Sequence, residues 1–97
     1  MDRWQFLIIP PLFGGTNYAY SKVRMRVFLQ SLDEKVWQAV EIGWIKPTEA
    51  PANWDDAKIK ATNFNIRALN ALFNAVINEE FKKISSTETA KEVWTIL

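Results

Sequence analysis

The 97-residue chain contains no cysteine and no histidine. Without cysteine it has neither a disulfide framework nor a thiolate metal site, and without histidine it lacks the commonest metal ligand and general base. Most hydrolytic and nucleophilic chemistry is excluded with them, so the chain reads as no enzyme, with no catalytic residue, metal or cofactor. A strong field of either sign is also missing, since the formal charge is +1; affinity for nucleic acid or membrane would need a local patch. No window approaches the ~20 apolar residues of a membrane span. The apolar start, Trp4 to Ile9, is too short for a signal-peptide core and stops at Pro10-Pro11, with Asp2 where positive charge is wanted. With the missing cysteines this points to a cytoplasmic setting.

What is present is a globular composition, 48% hydrophobic and 24% charged, in one small domain. Pro10, Pro11, Gly14 and Gly15 deny residues 1–16 a helix and favour an extended arm. Its Trp4, Phe6, Leu7, Ile8, Leu12 and Phe13 would form a large exposed patch on a free tail, so they lie against the domain or another chain. Residues 17–97 read as an all-α bundle of five helices, at roughly 17–32, 33–43, 54–77, 79–85 and 87–97. The first carries Tyr18, Met25, Phe28, Leu29 and Leu32 on one face. Asp33 caps the second, whose stripe is Val36, Trp37 and Val40, and Gly43 stops it. A loop with Pro47 and Pro51 follows, anchored by Trp44 and Ile45.

Asn53 is the expected cap of the third helix, with Asp55 and Asp56 in its first turn. Ala57, Ala61, Phe64, Ala68, Leu72, Ala75 and Val76 share one face, and Ile66, Leu69, Phe73 and Ile77 a neighbouring one, which marks this helix as the central one. Phe81 and Ile84 sit among charges in a short fourth helix, and Ala90, Val93, Trp94 and Leu97 fall in the last. The expected core is Tyr18, Met25, Phe28, Leu29, Trp37, Val40, Phe64, Leu72, Phe81 and Trp94. The last helix ends without a closing signal, as in a fragment of a longer protein.

Each possible site has a plainer reading beside it. Asp55-Asp56 and Glu79-Glu80 are adjacent acids that point about 100° apart on a helix, and first-turn electrostatics accounts for them. Gly14-Gly15 belongs to no phosphate-binding fingerprint. Lys22, Arg24 and Arg26 could touch RNA phosphates with Tyr20 available for stacking, but a spacing of two fans them round the helix. Five tryptophans are many for this length; Trp37 and Trp94 lie on apolar stripes, whereas Trp4, Trp44 and Trp54 are in or beside irregular segments and suit a partner or the core edge.

Ser21 breaks the first helix's apolar row, where a large side chain is due. Taken in order, Pro11-Leu12-Phe13-Gly14-Gly15-Thr16-Asn17-Tyr18, Arg24-Met25, Leu29, Val36-Trp37-Gln38-Ala39-Val40-Glu41, Gly43-Trp44 and Pro47 resemble the N-terminal capsid region of Gag in plant Copia-type retrotransposons. The likeness continues through Ala68-Leu69-Asn70-Ala71-Leu72, Glu80-Phe81, Ile84, Thr89-Ala90-Lys91-Glu92-Val93-Trp94 and Leu97. The family pattern has tryptophan at the position of Ser21. If a neighbour is shaped for an indole, the serine leaves a cavity worth roughly 3 to 5 kcal/mol. The resemblance implies a structural protein whose partner is itself, a homo-oligomer that forms a particle around the element's RNA, with RNA held through the full-length parent, and no membrane or small-molecule substrate. The candidate contacts, read from the residues, are the apolar arm, Trp44 and Trp54. Two other readings stand beside it: a Gag-derived protein-interaction module kept by the host, and a small RNA-binding domain using Lys22, Arg24 and Arg26.

Overall fold

The computed structural model describes residues 18–76 and 78–97, with the backbone alone at Tyr18 and residues 78–80. Five α-helices follow one another: α1, Tyr18–Leu32; α2, Glu34–Glu41; α3, Asp56–Asn74; α4, Asn78–Ile84; and α5, Ala90–Ile96. The fold is a small all-α bundle, with no strand among the described residues. The arm residues Trp4, Phe6, Leu7, Ile8, Leu12 and Phe13, and the Tyr18 side chain, lie outside what is described.

Local chemistry sets the helix limits. At Asp33 the extended backbone and a carboxylate that accepts from Lys35 N–H at 2.8 Å separate α1 from α2 with a single residue. Helix α2 closes at Gly43, whose φ of 101° lies in the left-handed region that only glycine adopts freely. The cap of α3 is Asp55, not the expected Asn53. Pro51 starts a short 3-10 turn, Pro51–Asn53, which uses up Asn53, and the Asp55 carboxylate accepts from Lys58 N–H at 2.9 Å. The last helix starts at Ala90, three residues later than its sequence suggests. Residues Ser85 to Thr87 instead close α4, with Thr87 N–H and Oγ1 both donating to the Ile84 carbonyl. Thr89 then accepts from Glu92 N–H at 3.2 Å. Two consecutive Ser/Thr-x-x-Glu spacings, Ser85 to Glu88 and Thr89 to Glu92, offer a cap here, and the fold uses the second.

Packing places the hub at α2, a correction to the expectation for α3. Half of the residues of α2, namely Val36, Trp37, Ala39 and Val40, are buried, and the helix touches α1, α3 and α5. Helix α3 spans about 28 Å at 1.5 Å per residue, against about 12 Å for α2. The short hub therefore covers only part of it. Ala68, Ala71 and Leu72 are buried, while Ala57, Ala61 and Ile66 stay exposed. Met25, Leu29, Leu72, Ile84 and Val93 complete the core, and Trp94 meets Trp37 edge to face, with ring centroids 5.4 Å apart.

Several expected core positions lie elsewhere. Phe28, Phe64 and Trp94 are half-buried and pack against the core from outside. Phe81 is 38% exposed: it meets Phe73 edge to face at 5.3 Å, and Ile84, one turn on, takes the buried position of α4. Leu32 is exposed at the end of α1, and Ile45, expected as an anchor, is 91% exposed.

Asn65 is the buried polar residue of the described chain, 1% exposed on the inner face of α3. Its amide oxygen accepts from Ala90 N–H at 2.9 Å and its amide nitrogen donates to the Glu88 carbonyl at 2.9 Å. One side chain thereby satisfies two backbone groups at the start of α5, where a helix leaves its first N–H groups without internal partners.

Replacing Asn65 with alanine orphans both backbone groups and should lower stability by roughly 2–4 kcal/mol. Urea denaturation followed by circular dichroism would show a lower midpoint at an unchanged slope, whereas Asn63→Ala on the exposed side of α3 should stay within about 0.5 kcal/mol. Gly43→Ala should cost about 1 kcal/mol or more in the same assay, because φ near 101° strains any residue with a Cβ.

Candidate interaction surface

The irregular segment between α2 and α3 is fixed by its two tryptophans. Trp44 Nε1–H donates to Thr62 Oγ1 at 3.1 Å, and Thr62 donates in turn to the Lys58 carbonyl at 2.8 Å, so the half-buried indole is pinned to the second turn of α3. Trp54 Nε1–H donates to the Glu49 carbonyl at 3.0 Å and staples the segment to itself. Lys58 Nζ donates to the Glu49 carboxylate, which raises the Lys58 pKa above its ordinary value. This exposed pair contributes below the ordinary lysine pKa, and its contribution fades as pH climbs through the raised one. Trp44 and Trp54, expected as contacts, thus spend their N–H groups inside the chain and can offer a partner only ring surface.

The pinned Trp44 lines one side of a groove of about 740 Å³ between α2 and α3. Ala39, Ile42, Ile45, Ala57, Ala61 and Phe64 supply its apolar lining. At one end Lys35, Lys60 and Arg67 gather round Phe64, with Lys35 Nζ and Arg67 each 5.9 Å from the ring centroid. Asp33 and Asp56 border the same region, so it is not a one-sign patch. Other apolar surface lies on α1, where Tyr20 is 69% exposed and Val23 and Val27 are more than half exposed. Their spacing of three and four puts them in one row. Ile59 and Ile66 form a smaller row on α3.

Of the three cations considered for RNA, one is engaged within the chain. Lys22 Nζ donates to the Trp94 carbonyl at 2.8 Å and stands 5.0 Å from the Trp94 ring centroid, binding α1 to the end of α5. Arg24 and Arg26 are exposed. Ser21 is half-buried one turn before Met25. The penalty expected for a missing indole applies to full burial, and at a half-buried position it shrinks with the apolar area withdrawn from water. Among the described residues no three acidic, histidine or cysteine side chains group as a metal site would require, and no helix is long and apolar enough to cross a membrane.

The groove and the clamp round Phe64 were not legible in the sequence, because Lys35 comes from α2 and its companions from α3. The α1 row was not read from the sequence either, although the helical spacing of Tyr20, Val23 and Val27 was the signal for it.

Lys22→Gln should destabilise the fold by about 0.5–1.5 kcal/mol through loss of its carbonyl and ring contacts. Arg24→Gln and Arg26→Gln should stay within about 0.5 kcal/mol. Paired chemical denaturation checks this, and a drop for the arginine variants equal to that for Lys22→Gln would contradict it.

Comparison of the chain with protein-family models, curated proteins and solved structures returned no match.

Proposed function

We propose that this chain is the N-terminal capsid region of a Copia-type Gag protein, a structural subunit that works in the cytoplasm by binding copies of itself in a particle around element RNA. In this reading it performs no catalytic step, and RNA is held through other parts of the parent protein. The observation that carries the reading is the apolar surface left open on two separate elements, the Tyr20-Val23-Val27 row of α1 and the groove between α2 and α3. A subunit that extends an array needs more than one sticky face, because a single self-complementary patch closes a dimer and goes no further.

The resemblance in the sequence supports the same reading in a specific way. Every buried apolar residue among those described, Ala75 excepted, belongs to one of the short motifs that carry it, from Met25 and Leu29 to Ala90 and Val93. Gly43 and Thr89, which end α2 and start α5, belong to them too. The motifs thus contain nearly all of the described core, beside exposed positions such as Gln38, Glu41, Asn70 and Lys91, and their buried members shape the bundle. Weak contacts between such subunits add through multivalency.

Sedimentation over a range of concentrations should reveal association, and Val23→Asp with Val27→Asp should weaken it at least about tenfold, because losing even ~1.4 kcal/mol of apolar burial has that effect. Retained helicity in the variant is the folding control. A chain monomeric at every concentration would count against self-association, and a longer chain that forms no large particles under the electron microscope would favour a host interaction module.

A further inference from the structure

We propose that the groove between α2 and α3 is the docking site of the chain's own N-terminal arm, residues 4–13, bound within the same molecule. This goes beyond the self-association reading and bears on it, because a docked arm covers one of the two faces which that reading uses and a second copy must displace it.

Three observations carry the assignment. The first is chemical match: from Trp4 to Asn17 the sequence contains no Asp, Glu, Lys or Arg, and Ala39, Ile42, Ala57, Ala61 and Phe64 line the groove with apolar surface. Lys35, Asp56 and Lys60 edge the same groove with charges of both signs, so it carries no one-sign field that would favour a charged peptide or a nucleic acid over the uncharged arm. At about 740 Å³ the groove lies within the usual ~300–1,000 Å³ of ligand pockets.

The second is position. Lys91 Cδ lies 3.0 Å from where a Cβ on Gly43 would stand, and Trp94, one turn later on α5, takes the Lys22 ammonium. About 5 Å of helix rise therefore separates the contact with the end of α2 from the contact with the first turns of α1. The start of α1, to which the arm is joined in sequence, is thereby tied through α5 to the end of α2 at Gly43. Fourteen residues separate Trp4 from Tyr18 and can span up to about 46 Å, far more than the ~10 Å from Lys35 to Ile42 along α2.

The third is competition. Attachment at α1 gives the arm an effective concentration of about millimolar, which a second copy must exceed to displace it. Proline fixes φ, so Pro10 and Pro11 lose less conformational freedom on docking than other residues would.

Because the chain has no native cysteine, single pairs can be introduced without background. Phe6→Cys, Ile8→Cys and Leu12→Cys would each be combined with Ala61→Cys in the groove or, as the control, with Val27→Cys on α1. Dilute protein would be exposed to oxidised glutathione and read by non-reducing mass spectrometry. At least one arm position should form an intrachain disulfide with position 61 more than tenfold faster than with position 27. Equal rates for all three, or a disulfide joining two chains as the main product, would overturn the proposal. In the unsubstituted chain, nuclear Overhauser contacts should link the methyl groups of Leu7, Ile8, Ile9 or Leu12 to Ile42, Ile45 or Phe64; none at all would overturn it equally, whatever the variants do.

Discussion

The Asn65 side chain holds the carbonyl of Glu88 and the N–H of Ala90, two backbone groups separated by one residue, from the buried face of α3. Both atoms of the amide are used, so nothing polar is left unsatisfied, and no apolar residue could do the same. The contact fixes where α5 begins. That start lets Ala90 and Val93 face inward and brings Trp94 to Trp37. A start at Ser86 or Thr87 would instead tie the Glu88 carbonyl and the Ala90 N–H into the helix's own ladder and leave Asn65 without them.

With α5 placed, the eight-residue α2 becomes the hub, because it is the element against which α1, α3 and α5 all pack. Its shortness is the geometric origin of the exposed surface. A 19-residue α3 cannot be covered along its length by an eight-residue neighbour, and the alanines near its start are left bordering a groove. Trp44, bonded to Thr62, forms part of the groove's wall.

Surface of this kind suits association. The cations are spread among apolar positions, and Lys22 is taken up by Trp94. Lys35 and Arg67 lie against Phe64, and acidic residues stand nearby. Each of these charges keeps apolar surface hydrated at its edges, with both signs close together. The proposed self-associating role is compatible with that balance, and docking of the arm, as proposed, would set how much of the surface is open.

By itself the sequence determined the helical class, the five elements and the core positions at Met25, Leu29, Trp37, Val40 and Leu72, because periodicity and caps such as Asp33 and Gly43 act over a few residues. Local signals also marked Trp44 as an anchor, though not its partner Thr62. Tertiary structure alone decided between two adjacent caps for α5, made α2 the hub and turned Phe81 outward while Ile84 turned in. It also gathered Lys35, Lys60 and Arg67 round Phe64 and set Asn65 under the start of α5. Each of these depends on residues far apart in the chain, and a local pattern carries no information about which distant backbone group will stand opposite a given side chain.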